Sequence, residues 1–293
     1  MSILNRILVP LDGSILADRV LLHVRRLLLR QDAEVLLFRV LDGISQTRPK
    51  VVQDMERDFA GTHLEDQRRR LADQGARVRS EVAEGDPSEE ILKRCGTWRP
   101  SLVAMSTHGR TGLDRWVWGS VAERVLREVR HPVFLTNPRA YAEEPTPSEG
   151  RFRRILVPLD GSELSSSILP LATAFARLYE SEVLLVHCLH PILSYPPHAE
   201  MEAELTEEKG LELLEPHRRA VEAAGLKVRT LVRAEYAAAA ILDAAAGERV
   251  DLVAMTTHGR TGLARWAFGS VSEKVIRHCP CPVIVKRGPS TVE

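Results

Sequence analysis

The chain has 293 residues, too many for one comfortable hydrophobic core and about right for two domains of roughly 100 to 150 residues each. Hydrophobic residues make up 44% and charged residues 27%, a balance that buries a core and excludes disorder as the default. Lys plus Arg and Asp plus Glu are equal at 40 each, so no net field recruits a nucleic-acid backbone or an anionic membrane. Arg, His or Asp interrupts every apolar stretch before it reaches bilayer length. The opening Met1-Ser2-Ile3-Leu4-Asn5-Arg6 runs straight into an apolar segment with no basic n-region or cleavage site, so a cytoplasmic protein is expected. Cys95, Cys188, Cys279 and Cys281 are too few and too irregular for a disulfide framework or a metal site, and are read as buried or inert thiols.

In chain order, Arg6 to Leu11 is a short apolar run that predicts a strand, and Ser14 is placed to cap a helix running through Leu29. Glu34 to Leu41 predicts a second strand, Val51 to Gln74 a long charged helix, and Ala76 to Ala83 an alternating strand. Arg68-Arg69-Arg70 on that charged helix reads as a solvated face. Pro87 to Thr97 predicts a helix with proline in its first turn, Leu102 to Ser106 a fourth strand, Ser120 to Arg130 a helix, and Val133 to Thr136 a fifth strand. Asn137 to Gly150 is polar and rich in proline and predicts a linker.

The same order then begins again. Arg6-Ile7-Leu8-Val9-Pro10-Leu11-Asp12-Gly13-Ser14 recurs unchanged from Arg154 to Ser162, and 21 of the 35 positions from Leu102 to Thr136 are identical in Leu252 to Lys286. Strands are expected near Ile155, Val183, Val228, Leu252 and Val283. The chain is one domain duplicated in tandem, with predicted boundaries at 1–137, a linker at 138–151, and 152–288. Strands alternating with helices, several apolar on both faces, predict an α/β fold with a parallel sheet covered on either side.

In such sheets ligands bind beyond the carboxyl ends of the strands. Two segments fall there. One is Asp12-Gly13-Ser14, repeated as Asp160-Gly161-Ser162. The other runs from Ser106 to Gly112 with Gly119-Ser120, repeated from Thr256 to Gly262 with Gly269-Ser270. Glycines at 109, 112 and 119 let backbone amides approach a ligand, and the amides of Ser120 and Val121 open a helix whose dipole favours an anion, with Arg110 as a nearby cation. The competing reading is that these glycines shape turns and Ser120 merely caps a helix. Asp12 and Asp160 are either turn aspartates bonding an amide two residues on, or acceptors for a base or ribose, or handles on a phosphate-bound metal. His108 and His258 have no nucleophile or carboxylate partner close in sequence and read as loop histidines; no catalyst is nominated. Neither a dinucleotide G-x-G-x-x-G after a strand nor a Walker loop is present.

At these residues the sequence resembles the universal stress protein family, and in particular its tandem members. The family's ATP binders carry G-x-x-G, nine residues, then G-[ST]; Gly109 to Gly119-Ser120 and Gly259 to Gly269-Ser270 meet that spacing, with Ser106 and Thr256 in place of the first glycine. The family's strand ending in Pro-x-Asp is matched by Pro10-Leu11-Asp12 and Pro158-Leu159-Asp160. The turn before the third helix reads Gly85-Asp86-Pro87 in the first copy and Glu235-Tyr236-Ala237 in the second.

The resemblance implies two doubly wound, Rossmann-like domains, each a five-stranded parallel sheet in the order 3-2-1-4-5 with helices on both faces. It implies adenine and ribose sites at Pro10, Leu11, Asp12 and Val40, and at Pro158, Leu159, Asp160 and Cys188, with Gly85, Met105 and Met255 also among the nucleotide-binding residues. The loop and phosphate residues would be His108, Gly109, Arg110, Gly112, Gly119, Ser120 and Val121, and His258, Gly259, Arg260, Gly262, Gly269, Ser270 and Val271. The expected function is a stress-response regulator that binds ATP, with Mg²⁺, and acts through a protein partner rather than by turnover. The alternatives are a scaffold of the same fold without ligand, and a slow ATP hydrolase. An internal pseudo-dimer pairing Val133 to Thr136 with Val283 to Val285 is expected, with room for a further homodimer of whole chains.

Overall fold

A computed structural model describes residues 4–30, 32–43, 48–73, 75–107, 119–137, 151–189, 207–257 and 269–288. They divide between two compact units, the first within residues 4–137 and the second within 151–288.

The first unit contains β1 (Arg6–Pro10), α1 (Ile15–Asp18), α2 (Val20–Leu28), β2 (Glu34–Leu41), α3 (Lys50–Ala72), β3 (Arg77–Glu84), α4 (Pro87–Trp98), β4 (Leu102–Ser106), α5 (Ser120–Glu128) and β5 (Val133–Thr136). Its strands are all parallel in the order β3-β2-β1-β4-β5, with Pro10 opposite Phe38, Leu8 opposite Val103 and Ser106 opposite Thr136. The expected order 3-2-1-4-5 follows from this pairing. Every residue of β4 and β5 is buried, whereas β3 is half exposed. A continuous apolar run therefore marks a strand covered on both faces, and an alternating one marks the edge. Val20, Val24 and Leu27 of α2 and Ala60, Leu64 and Leu71 of α3 are buried, as are Ile91 and Cys95 of α4 and Val125 and Leu126 of α5. Each large apolar side chain so placed contributes about 1.5 to 3 kcal/mol.

The single helix predicted from Ser14 through Leu29 is two pieces. α1 ends at Asp18, and the chain turns at Arg19, where Leu22 N–H reaches the Arg19 carbonyl at 3.2 Å, before α2 begins. Apolar spacing is nearly unchanged across one tight turn, so periodicity alone does not register the break.

The second unit repeats the plan with β6 (Arg154–Pro158), α6 (Glu163–Ser166), α7 (Leu169–Tyr179), β7 (Glu182–Cys188), α8 (Glu207–Ala223), β8 (Val228–Arg233), α9 (Ala237–Gly247), β9 (Leu252–Thr256), α10 (Ser270–His278) and β10 (Val283–Lys286). The parallel order is β8-β7-β6-β9-β10. The same break recurs between α6 and α7, and here Pro170 lies in the first turn of α7, where a missing N–H is tolerated. Phe152 packs edge-on against Tyr179 with ring centres 5.0 Å apart, and both are buried. Among the described residues no helix is long and apolar enough to cross a membrane.

Candidate functional site at the carboxyl ends of the strands

The site begins where β1 stops donating to the sheet. Leu11 N–H still reaches the Phe38 carbonyl at 2.8 Å, which holds Leu11 buried between β1 and β2. Asp12 then turns the chain. Its Oδ1 accepts the Ser14 amide at 2.9 Å, and Ser14 Oγ accepts the Ala17 amide at 3.1 Å, so Asp12 forms the turn and Ser14 the predicted helix cap. The second copy builds the same turn: Asp160 Oδ1 accepts the Ser162 amide at 2.9 Å and the Ser162 hydroxyl at 2.6 Å. The structural role proposed for these aspartates is therefore seen in both copies, and it positions a carboxylate at the end of the central strand.

Between Asp12 and Ser14, Gly13 adopts φ +84°, and a Cβ there would lie 2.6 Å from Arg39 Nη1. The left-handed backbone thus calls for glycine, and any Cβ there would push the tip of the Arg39 side chain aside. Arg39 was not among the sequence candidates. It follows Phe38 on β2, is only 3% exposed, and its guanidinium also lies over the Phe59 ring at 5.7 Å. The second copy has His187 at the matching register, with Nδ1 2.8 Å from the Leu159 carbonyl. One strand-end crevice carries a buried permanent cation and the other an imidazole tied to the backbone. The available signal was a lone charge inside the apolar run from Glu34 to Leu41.

The segment expected to cradle phosphate is anchored at both ends. Thr107 N–H donates to the Thr136 carbonyl at 2.9 Å, fixing the end of β4 to β5, and Gly119 N–H returns to the Thr107 carbonyl at 3.1 Å. The second copy repeats this with Gly269 N–H to the Thr257 carbonyl at 3.0 Å, and Ser272 Oγ donates to the same carbonyl at 2.8 Å. Gly119 and Gly269 are the N-cap residues of α5 and α10, and neither helix has a side-chain cap. Helix geometry leaves the next amides, of Ser120 and Val121 and of Ser270 and Val271, without an intrahelical acceptor. They carry the positive end of the helix dipole to the carboxyl edge of the sheet. His108, Gly109, Arg110 and Gly112, and His258, Gly259, Arg260 and Gly262, lie outside the described residues.

Pro10, Asp12, Val40, Gly85, Gly119, Ser120 and Val121 all occupy this edge of the first sheet, with Pro158, Asp160, Cys188, Gly269, Ser270 and Val271 at the matching edge of the second. Leu11 and Leu159 are buried beneath the turns, and Met105 and Met255 are buried within β4 and β9, so these four form the floor. Ser106 and Thr256, at the ends of the same strands, are buried as well. Cys188 is half-buried, and burial with the nearby Glu235 charge pushes its thiol up to about 11.

Gly85 has φ +138°, and its N–H donates to the Leu41 carbonyl at 2.9 Å, so its glycine serves the turn from β3 into α4. The next residue, Asp86, caps α4 by accepting the Glu89 amide at 2.9 Å and the Ser88 hydroxyl at 2.6 Å, and Arg124 of α5 lies 3.2 Å from the same oxygen. Those bonds, the Ser88 hydroxyl foremost, hold the Asp86 carboxyl below its ordinary value. Tyr236 takes the cap position of α9 and makes no side-chain cap bond, so the corresponding turn is looser in bonding terms.

The model of the Universal stress protein family matches residues 4–137 and again 151–287. A universal stress protein of Methanocaldococcus jannaschii, MJ0531, is 32% identical over 145 residues, spanning 48% of this chain and 85% of that protein. A universal stress protein of Thermus aquaticus is 33% identical over 138 residues, spanning 46% of this chain and 99% of its own. Among solved structures, a universal stress protein from Archaeoglobus fulgidus DSM 4304 is alike in fold, with a TM-score of 0.76 at 22% identity over 97% of this chain and 98% of that one.

Proposed function

Because the chain belongs to the universal stress protein family, a family of stress-response proteins, we propose that each half offers an adenine-nucleotide site at the carboxyl edge of its sheet and that the protein answers stress by binding ATP rather than by turning it over. One observation carries this reading. Gly119 has φ −61°, open to any residue, and among the described residues a Cβ there would meet only the Thr107 carbonyl at an ordinary 3.5 Å. Among the described residues neither backbone conformation nor packing demands glycine at the start of α5 beyond its modest advantage as an N-cap, whereas a ligand lying on the first-turn amides would demand it. Gly269 repeats the arrangement, with φ −68° and, among the described residues, a nearest contact of 3.4 Å to the Thr257 carbonyl.

Ser120 and Val121, with Ser270 and Val271, would hold phosphates, and Asp12 and Asp160 would hold a nucleotide-bound Mg²⁺, an ion that takes one or two carboxylates and otherwise phosphates and water. The ion would neutralise phosphate charge beside those carboxylates.

Ser106 and Thr256 favour the second reading, a scaffold of the same fold without nucleotide, because each adds a Cβ at the loop's first position. Two measurements decide: identification of any small molecule released on denaturing the purified protein, and calorimetric titration with ATP, ADP and AMP with and without Mg²⁺. Bound adenine nucleotide supports the first reading, and neither carriage nor binding supports the scaffold. The duplication supports an internal pseudo-dimer, for which a sedimentation mass of 32.7 kDa is expected; twice that mass would identify a homodimer of whole chains. A protein partner would receive the signal.

A further inference from the structure

Away from the strand-end crevices, at the opposite end of the second sheet, the chain reads Cys279-Pro280-Cys281-Pro282 between α10 and β10. Cys279 is the residue that ends α10, with φ −60° and ψ 131°, and its N–H donates to the Val275 carbonyl at 2.8 Å. Pro282 passes its carbonyl to the Val253 amide at 3.0 Å, which fixes the entry to β10. The two prolines lock their own φ and keep the cysteine before each out of the helical region, so the backbone holding both thiols is stiff and extended. The two Sγ atoms lie 3.5 Å apart and share one hydrogen bond, in which either sulfur can be the donor. Cys279 is 1% and Cys281 7% exposed. The first domain has Val129 and His131 at the matching positions.

We propose that Cys279 and Cys281 are a peroxide-responsive dithiol that closes reversibly to an intramolecular disulfide, a modification site confined to the second domain. Closure to a bond of about 2.05 Å brings the sulfurs roughly 1.5 Å nearer, with no other segment of the chain recruited. The shared hydrogen bond supplies the chemistry. When one sulfur is a thiolate, the other carries the proton and stabilises it, and this bond holds the Cys279 thiol below its ordinary value against the contrary effect of burial. The thiolate attacks hydrogen peroxide, the O–O bond breaks, and hydroxide leaves as a sulfenic acid forms. The neighbouring thiol then attacks the sulfenic sulfur, an S–S bond forms, and the displaced hydroxide takes the thiol proton away as water. Two thiols lose two electrons, the peroxide gains them, and two waters result once the first hydroxide is protonated. Cys95 is the internal contrast, since burial pushes its thiol up to about 12 and keeps it protonated.

The test uses the full-length protein. After exposure to hydrogen peroxide it is denatured, alkylated with N-ethylmaleimide and digested with trypsin, which cuts after Arg277 and Lys286 and leaves both cysteines on one peptide, His278 to Lys286. The expected result is that this peptide escapes alkylation and is lighter by two hydrogens, that Cys95 and Cys188 stay alkylated, and that dithiothreitol restores alkylation of the pair. With Cys281→Ser, Cys279 is expected to be trapped by a sulfenic-acid probe. Because a buried substitution can disturb folding, the unmodified protein decides by itself. Full alkylation of the peptide after peroxide, sulfinic acid in place of the two-hydrogen loss, or a disulfide joining two chains would each overturn the proposal.

Discussion

Replacing Gly119 by Ala separates what the chain needs from what a ligand needs. The φ and ψ of −61° and 126° are open to alanine, and the added Cβ sits 3.5 Å from the Thr107 carbonyl, an ordinary contact. Alanine is a poorer N-cap than glycine, so α5 is expected to lose about 0.5 to 1 kcal/mol, or a few degrees of melting temperature in a domain of this size. If a nucleotide phosphate lies on the amides of Ser120 and Val121, the same methyl displaces it. Losing one charge-assisted hydrogen bond costs about 1.5 to 3 kcal/mol, which is roughly 10- to 150-fold in Kd. Titration calorimetry with Mg²⁺ and ATP reads the affinity, and thermal unfolding reads the stability. The first site weakens in Gly119→Ala and the second in Gly269→Ala, and phosphate release above the level of a Gly119→Ala, Ser120→Ala control would reveal turnover. An unchanged Kd and stoichiometry in a folded Gly119→Ala protein would refute the phosphate placement.

Asp86→Ala removes the α4 cap and is expected to cost about 1 to 2 kcal/mol in urea unfolding, the exposed Arg124 pair adding little. Because the folded Asp86 carboxyl sits below its unfolded value, its contribution is present above the unfolded pKa of about 3.9 and is lost as pH falls through the lower folded value, so the variant should flatten that acid limb. His23 is buried, and burial, aided by Arg26, lowers its pKa to about 3, so its NMR titration should show a neutral ring throughout the neutral range. Protonation then favours the unfolded chain: stability is intact above about pH 6.5 and falls by about 1.4 kcal/mol per unit below it, a slope that His23→Gln removes. Gly13→Ala must hold a left-handed conformation and displace the Arg39 guanidinium, and should cost about 1 to 2 kcal/mol in urea unfolding. Adding Arg39→Ala should make the double variant less damaged than the sum of the two single changes.

The local features were legible because their causes are local. The alternation of strands and helices follows apolar period, the Ser14 cap depends on an amide three residues on, and the Asp12 turn on an amide two residues on. The duplication is a property of the string of residues, and it announced that whatever one strand-end edge does the other is built to resemble. The break at Arg19 escaped because a tight turn hardly disturbs the apolar spacing. Arg39 escaped because its meaning depends on register: only when Pro10 pairs with Phe38 does the next residue of β2 reach Gly13. Cys279 and Cys281 looked inert by count and spacing, and only folded backbone placed their sulfurs 3.5 Å apart. Sequence thus determined the duplicated α/β architecture and the residues at the ends of its strands, since periodicity and turn chemistry act over a few residues. Tertiary structure decided which charge lies over which glycine and which thiols meet, since strand pairing and packing bring together groups whose contact no local pattern encodes.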